Sequence, residues 1–194
     1  MKIGVDLDEI LSDTLTSVLE YYNSVHKTNL KRNEFVSYNY WEIWGGTKEN
    51  AVKLIEDYYK TNYFKNIKPI AGAKENLENL KSEGYEMFVI TGRSDKYKKE
   101  TKDWLTEHYP NIFSDIFFAN TFDIDNTDTK KSDICIKNNI PILIEDDPHH
   151  LADCAQAGIK TIVLDCPWNK NFQAENSVRV FSWEEIAQKI KEFI

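Results

Sequence analysis

Two aspartates, Asp6 and Asp8, come directly after a short apolar run, Ile3 to Val5, which predicts a buried strand. Residues two apart point the same way along an extended chain, so the two carboxylates would crowd each other at the end of this strand. Close anions raise each other's pKa unless a cation lies between them. Mg²⁺ is well suited to this position, because it takes one or two carboxylates together with waters and substrate phosphate. The alternative is a strand end with solvated acids.

Two further stretches carry groups that can bind a phosphate. The segment Thr91-Gly92-Arg93 follows a predicted strand, where its hydroxyl and backbone N–H groups can reach a phosphate. Lys130 and Lys131 open a predicted helix, where a lysine can meet a phosphate as a point charge. Taken alone, the first stretch is also typical of a turn, and the second of a solvated helix face.

Three adjacent acids, Glu145-Asp146-Asp147, stand where another buried strand is predicted to end. Carboxylates in such a place are costly without a cation, so we interpret them as candidate metal ligands. His149 and His150 follow at a helix start that Pro148 marks. Because the acids already supply ligands, we expect surface or capping roles for the two histidines.

Buried strands alternate with helices along the chain. Apolar runs predict five strands, at residues 3–5, 87–90, 116–118, 140–144 and 161–164. Apolar residues at helical spacing fill most of the segments between them. In one such helix, which Thr47 could cap, we expect a buried stripe of Val52, Ile55 and Tyr59. Ser182 begins a capping box that opens the last helix. Such alternation is typical of an α/β protein in which helices cover both faces of a parallel sheet.

One connection is longer than a strand-helix-strand crossover requires. Residues 9–84 separate the first two predicted strands, whereas such a crossover needs about 30 residues. We therefore expect a helical cap at residues 21–69, inserted into a core formed by residues 1–20 and 70–194. Because the cap leaves the sheet at the carboxyl end of the first strand, it would lie over the crevice where open α/β sheets bind ligands.

The composition limits the partners. A net charge of −8 argues against a nucleic-acid polymer, which favours a basic surface, but it is compatible with a small phosphorylated substrate. The three cysteines have no CxxC spacing, which indicates reduced, buried thiols. The chain shows no signal segment at its start and no apolar run that could cross a bilayer. We therefore expect a cytoplasmic protein with no membrane partner.

In chain order, the polar motifs are Asp-x-Asp, threonine, lysine and an acidic cluster. This order resembles the haloacid dehalogenase (HAD) superfamily of phosphohydrolases, and the resemblance covers essentially the whole chain. The segment from Asp6 to Asp13 is also similar to the opening motif of the 5'(3')-deoxyribonucleotidases and bacterial 5'-nucleotidases. The resemblance implies a three-layer, Rossmann-like core with a small helical cap. It further implies a Mg²⁺-dependent phosphomonoesterase with an aspartyl-phosphate intermediate.

Within this superfamily, the resemblance favours a 5'-nucleotidase acting on nucleoside monophosphates. A phosphatase of sugar phosphates or other small metabolites is the first alternative. A catalytically silent HAD-like binding protein is the second. The sequence leaves open whether the protein is a monomer or a homodimer.

The resemblance also implies roles for single residues. Asp6 would be the nucleophile, and Asp8 the general acid and then the base. Mg²⁺ would be held by the Asp6 carboxylate, the Asp8 backbone carbonyl and Asp146. Glu145 would support that site, and Asp147 is the rival of Asp146 as a ligand. The residues expected to hold the phosphoryl oxygens are Thr91, Gly92, Arg93 and Lys131.

Some residues lie outside this pattern or leave two interpretations open. Glu9 stands where the nucleotidases have glycine, which adds a carboxylate beside the site. The aromatic side chains Tyr40, Trp41 and Trp44 lie in the predicted cap. They could stack on a nucleotide base or pack the core of the cap itself. The segment Pro167-Trp168-Asn169 follows the fifth predicted strand and could line the crevice.

Overall fold

The computed structural model of the chain describes residues 1–121 and 129–193. The strands in these residues are β1 (Lys2–Val5), β2 (Glu86–Thr91), β3 (Asp115–Phe118), β4 (Ile142–Glu145), β5 (Lys160–Leu164) and β6 (Ser177–Val180). They form one sheet in the order β3-β2-β1-β4-β5-β6, with each neighbouring pair parallel. The α/β class expected from the sequence is confirmed.

The edge strand β6 was not among the predicted strands. Its sequence, Ser-Val-Arg-Val, alternates polar and apolar residues over only four positions, which is a weak signal. It pairs with β5, and of its residues only Val180 is buried. Pairing with an existing strand therefore decides the conformation of a segment whose own pattern is too short to predict it.

Helices flank this sheet. They are α1 (Thr14–His26), α2 (Trp41–Trp44), α3 (Lys48–Tyr58), α4 (Asn62–Lys65), α5 (Ala73–Ser82), α6 (Lys98–His108), α7 (Lys131–Asn138), α8 (Pro148–Gln156) and α9 (Trp183–Glu192). Thr47 and Ser182 cap α3 and α9 with their side chains, as the sequence predicted. Gly84 lies just beyond α5 with a φ of +89°, a left-handed conformation that ends the helix. None of the helices in the described residues is long and apolar enough to cross a membrane.

The long connection after β1 leaves and rejoins the core at one place. The backbone N–H of Asp13 donates to the carbonyl of Lys68 at 2.8 Å, and that of Ile70 donates to the carbonyl of Leu11 at 2.8 Å. Residues 14–67 lie between these paired segments, and we call them the insertion. The cap boundary predicted at residue 21 falls within α1, which is one continuous helix.

Candidate active site

The neighbouring strands β1 and β4 bring Asp6 next to the acids that follow β4. Lys131, the first residue of α7, reaches two of these carboxylates. Its Nζ lies 2.6 Å from Asp6 Oδ1 and 2.7 Å from Glu145 Oε2, and all three side chains are buried. Lys130 instead points outward and pairs with Asp153. Of the two lysines that open α7, Lys131 is thus the one that meets the acids.

Asp146 completes a buried acidic cluster with Asp6 and Glu145. Carboxylate oxygens of the three residues lie within 4.8 Å of one another. Burial first, and then repulsion among these carboxylates, raise the pKa of Asp6 and of Asp146, and the attraction of Lys131 for Asp6 does not offset this rise. When ionised, the three carboxylates carry more negative charge than the single ammonium of Lys131 can balance. A divalent cation would supply the missing positive charge, so these residues fit Mg²⁺.

The adjacent acids after β4 serve different purposes. Asp146 Oδ1 is buried and has no hydrogen-bond partner among the described residues, whereas its Oδ2 accepts from Trp168 Nε1 at 2.8 Å. Asp147 caps α8, because its Oδ1 accepts from the backbone N–H of His149 at 2.8 Å. Glu145 Oε1 accepts from the backbone N–H groups of Asp146 and Asp147, both at 3.0 Å. Asp146 therefore keeps an oxygen for a cation, while Asp147 serves its helix.

Asp8 and Arg93 form an ion pair at the edge of this cluster. Arg93 Nη2 lies 2.6 Å from Asp8 Oδ1, and Arg93 Nε lies 3.0 Å from Oδ2. Thr14 Oγ1 donates to Asp8 Oδ1 at 2.6 Å. Burial alone would raise the pKa of Asp8, but Arg93 and these hydrogen bonds together hold it below its ordinary value. The structure thus places Arg93 against Asp8, and its contact with phosphate stays a prediction.

The turn after β2 organises the neighbouring backbone. Thr91 is fully buried, and its Oγ1 accepts from the backbone N–H of Arg93 at 3.2 Å. Gly92 lines the pocket described below. A Cβ on Gly92 would lie 3.2 Å from Thr121 Oγ1 and 3.7 Å from His150 Nε2. The missing side chain therefore leaves the backbone accessible where a phosphate was predicted to bind.

Glu9 occupies a backbone conformation that favours glycine, the residue that the resemblance leads us to expect at this place. Its φ is +67°, a region that costs other residues about 1–2 kcal/mol. The buried carboxylate accepts from the backbone N–H of Leu15 at 2.6 Å and pairs with the guanidinium of Arg32. Burial raises the pKa of Glu9 to about 7, although Arg32 opposes the rise. Arg32 thereby ties the insertion to the loop after β1.

A cavity of about 1080 Å³, counted to its open mouth, lies between the strand ends and the insertion. Asp6, Asp8 and Lys131 line it on the side of the sheet. Its other side is mostly apolar and aromatic, and the apolar and aromatic insertion residues there are Val18, Tyr38, Tyr40, Trp41, Ala51, Val52, Ile55, Tyr58 and Tyr59. Helical spacing predicts a buried stripe of Val52, Ile55 and Tyr59 along α3 and its C-cap. These side chains are only half-buried, because they face this cavity.

The three aromatic residues that the sequence singled out have different surroundings. Tyr40 and Trp41 line the cavity. Trp44 is not among the described lining residues. It stacks on Tyr22, with ring centroids 4.7 Å apart and an interplanar angle of 5°, and it meets the edge of Phe35. Trp44 thus packs the insertion, while Trp41 is exposed to whatever enters the cavity.

Sequence reasoning missed His150 as a pocket residue. His149 is exposed, but His150 is buried and lines the cavity with Asp6 and Lys131. Burial, with a smaller contribution from Lys131, lowers the pKa of His150 to about 2, so its ring is neutral. Its place in the first turn of α8, directly after the acids that follow β4, is the signal that would have placed it near the cavity.

Comparison with known proteins identifies the family. The family model described as "5' nucleotidase, deoxy (Pyrimidine), cytosolic type C protein" matches residues 1–193. A 5'(3')-deoxyribonucleotidase from Bacillus subtilis is 30% identical over 194 residues, which cover 97% of each chain. Both similarities extend over the strand ends and the insertion alike.

Solved structures share the fold at low sequence identity. A haloacid dehalogenase-like family hydrolase from Streptococcus pneumoniae has a TM-score of 0.69 at 15% identity, covering 97% of both chains. A HAD family hydrolase from Deinococcus radiodurans, with bound phosphate and sodium, has a TM-score of 0.70 at 14% identity, covering 98% of this chain and 95% of that one. The chain therefore belongs to the cytosolic type C deoxy (pyrimidine) 5'-nucleotidase family, and it is a nucleotidase with the fold of these HAD hydrolases.

Proposed function

We propose that this enzyme hydrolyses the phosphate ester of nucleoside monophosphates, with Mg²⁺ as its metal and an aspartyl-phosphate as its intermediate. The supporting observation is the cluster at the strand ends. Asp6 lines the cavity, is held by Lys131, and lies beside the unpartnered oxygen of Asp146. The activity named for the Bacillus subtilis relative, a 5'(3')-deoxyribonucleotidase, supports the class of substrate.

Asp6 is the nucleophile in this proposal. A carboxylate oxygen of Asp6 forms a bond to phosphorus while the bond between phosphorus and the sugar oxygen breaks. In the second step, a water oxygen bonds to phosphorus and the bond to Asp6 breaks, which releases inorganic phosphate. Lys131, already at 2.6 Å from Asp6, stabilises the negative charge on the transferring oxygens. The backbone N–H of Gly92, directly after Thr91, binds the same oxygens.

Asp8 moves the protons. It gives one to the leaving sugar oxygen in the first step and takes one from the attacking water in the second. Its pairing with Arg93 favours the ionised form, which is the form that the second step needs. The first step needs a protonated Asp8, so Arg93 must release it. We infer that Arg93 exchanges Asp8 for the substrate phosphate, which would also account for its predicted phosphate contact.

The carboxylates of Asp6 and Asp146 and the backbone carbonyl of Asp8 would hold Mg²⁺, with Glu145 supporting the segment after β4. When bound, the cation draws negative charge from the phosphoryl oxygens and reduces their repulsion of the nucleophile. The rise of the Asp6 pKa without a cation supports this assignment, because the nucleophile must be ionised to attack phosphorus.

The insertion selects the leaving group in this proposal. Its half-buried side chains Val52, Ile55 and Trp41 form an apolar surface in the same cavity as Asp6. A base and its sugar can lie against such a surface, and that binding energy can lower the barrier at phosphorus. A phosphate alone would leave the surface uncovered.

A substrate panel tests this proposal. Ribo- and deoxyribonucleoside 5'- and 3'-monophosphates are compared with sugar phosphates, each with Mg²⁺ and with a chelator. We expect kcat/KM for the best nucleotide to exceed that for every sugar phosphate by about tenfold or more, since one stacked base contributes about 1–3 kcal/mol. We also expect activity to disappear with the chelator and return with Mg²⁺. A preference for sugar phosphates would contradict the substrate class, and no hydrolysis of any ester would indicate a binding protein.

A trapping experiment tests the intermediate. Enzyme mixed with a phosphate-labelled substrate and quenched in acid should carry a label that hydroxylamine removes. Asp6→Asn should carry none. Label on the variant would place the covalent step on another residue.

A further inference from the structure

The short helical turn Pro167–Asn169, which follows β5, binds Asp146 at two points. Trp168 Nε1 donates to Asp146 Oδ2 at 2.8 Å, and Asn169 Nδ2 donates to the main-chain oxygen of Asp146 at 2.9 Å. Trp168 is 8% exposed and Asn169 is 1% exposed. Trp168 is not among the described residues that line the cavity, so it acts on Asp146 and not on a substrate.

Neighbours from two directions hold this turn in place. The guanidinium carbon of Arg32, in the insertion, lies 5.4 Å from the centre of the Trp168 ring, a cation–π contact. Tyr38 meets the same ring edge-on, with centroids 6.2 Å apart. On the other side, Arg179 of β6 donates to Asn169 Oδ1 at 2.7 Å. The indole N–H therefore has a fixed direction.

We infer that Trp168 is a positioning residue that restricts Asp146 to one metal-binding oxygen and so favours Mg²⁺ over Ca²⁺. This inference rests on the proposed function, because it takes Asp146 as a metal ligand. The indole N–H occupies Oδ2, while Oδ1 is buried without a partner. Mg²⁺ requires six oxygens in an octahedron, whereas Ca²⁺ takes six to eight and often binds both oxygens of one carboxylate. A carboxylate limited to one oxygen suits the smaller ion.

The test measures metal binding directly. Mn²⁺ is added to the metal-free protein, free Mn²⁺ is measured by electron paramagnetic resonance, and Mg²⁺ or Ca²⁺ is then titrated in as a competitor. Trp168→Phe removes the N–H and keeps a ring beneath Arg32. Partners that orient metal ligands typically contribute 10–100-fold in affinity, so we expect Mg²⁺ to bind about tenfold more weakly or worse. Ca²⁺, which can use the released Oδ2, should lose far less, so that the Mg²⁺ preference falls by about fivefold or more.

Trp104→Phe is the matched control. It also removes a buried indole donor, which bonds the carbonyl of Ile67 at 2.9 Å and is not part of the acidic cluster. It should change neither affinity. Trp168→Leu, which also lacks the N–H, serves as the second variant if Trp168→Phe does not keep a cooperative thermal transition.

Each result decides a different question. If the wild-type protein binds Mn²⁺ and Trp168→Phe keeps both the affinity and the ion preference, this inference is wrong and the metal site stands. If both ions weaken by the same factor, Trp168 supports the site without restricting Asp146, which also overturns the inference. If the wild-type protein binds no Mn²⁺, the metal assignment of the proposed function fails, and this inference fails with it.

Discussion

The side of the sheet formed by the carboxyl ends of its strands, here called the sheet edge, faces the same cavity as the insertion. The two regions are built from different interactions. At the sheet edge, Lys131 contacts two buried carboxylates, and Asp146 is held by a tryptophan. In the insertion, aromatic rings contact one another, and many of their neighbours are half-buried. A stacked pair, Tyr59 with Tyr97 at 3.9 Å between centroids, even joins the insertion to the segment after β2.

This difference teaches how each region tolerates change. Removing a buried charge is costly where its partner is left buried and unpaired. An apolar side chain on a cavity wall can be shortened with mainly local consequences. We therefore expect substitutions at the sheet edge to alter catalysis, and to lower stability as well where they remove the ammonium of Lys131. Substitutions on the cavity wall of the insertion should alter the choice of substrate.

Removing the nucleophile should give the largest effect. Asp6→Asn keeps the shape of the side chain but cannot form the aspartyl-phosphate, so kcat should fall by about 10⁴-fold or more. The melting temperature should not fall, because the cluster around Asp6 already holds excess negative charge. Steady-state kinetics and thermal unfolding check both points. Asp13→Asn, a half-buried acid that is not among the described lining residues, is the control. Near-normal turnover of Asp6→Asn would mean that water attacks phosphorus directly.

Removing the ammonium group of Lys131, which Asp6 and Glu145 share, should affect both stability and activity. Lys131→Met leaves Asp6 and Glu145 buried without their ammonium, so the free energy of unfolding measured with a chelator should fall by about 3–5 kcal/mol. Added Mg²⁺ should recover part of this loss, because it restores positive charge to the cluster. Turnover should fall by about 10²-fold or more, since Lys131 stabilises the transferring oxygens.

The neighbouring lysine provides the control for this variant. Lys130 is 59% exposed at its side chain and pairs with Asp153 on the surface. Lys130→Met should change the free energy of unfolding by less than about 1 kcal/mol. Equal losses in the two variants, measured by urea unfolding, would contradict the assignment of Lys131 as the buried cation.

The same contrast explains what the sequence could predict. Polar residues at the ends of buried strands have few structural uses, which marks the acids after β1 and β4 as candidates. The family resemblance then singled out Asp146 and Lys131 from their neighbours. The pairing of Arg93 with Asp8 could not be predicted, because it joins positions 85 residues apart through side-chain geometry alone. Similarly, the hydrogen bond from Trp168 to Asp146 depends on how the loop after β5 packs, and the sequence indicated only its nearness to the crevice.

The insertion was less predictable for a related reason. An apolar or aromatic side chain at helical spacing can pack a core or line a cavity, and the sequence pattern is the same in both cases. Val52 and Ile55 were expected to be buried, yet they face the cavity. Trp41 and Trp44 looked equivalent, but only Trp41 lines the cavity. Strand β6 was missed because its pairing with β5, and not its own short pattern, determines its conformation.

The buried histidine should make stability depend on pH. His150 has a pKa of about 2 in the folded chain, against 6.5 for an ordinary histidine. Between these values the unfolded chain binds a proton that the folded chain does not. Burying the neutral ring of His150 therefore costs no stability above about pH 6.5. Below that value, the free energy of unfolding falls with the pH, by at most about 1.4 kcal/mol per pH unit. In His150→Gln, the fall in unfolding free energy between pH 6 and pH 5 should be smaller by up to that amount.

Urea unfolding at several pH values measures this difference. His149→Gln is the matched control, because His149 is 74% exposed at its side chain and should leave the profile unchanged. A profile that is identical in wild-type protein and His150→Gln would show that His150 takes up a proton readily in the folded state. The sheet edge would then be more open to water than the structure indicates.

The two insertion tryptophans provide the finest test of the comparison. Trp41 lines the cavity, so Trp41→Ala should lower kcat/KM for a nucleoside monophosphate by about tenfold, which corresponds to one lost stacking contact of about 1.4 kcal/mol. It should leave a small aliphatic phosphate ester nearly unaffected, because that substrate does not reach the ring. Trp44→Ala should instead lower the melting temperature, since Trp44 stacks on Tyr22 inside the insertion. Its activity losses on the two substrates should be similar.

If Trp41→Ala weakened both substrates equally, Trp41 would be part of the packing of the insertion. If it weakened neither, the base would lie against another wall of the cavity, for which Val52 and Ile55 are the next residues to shorten.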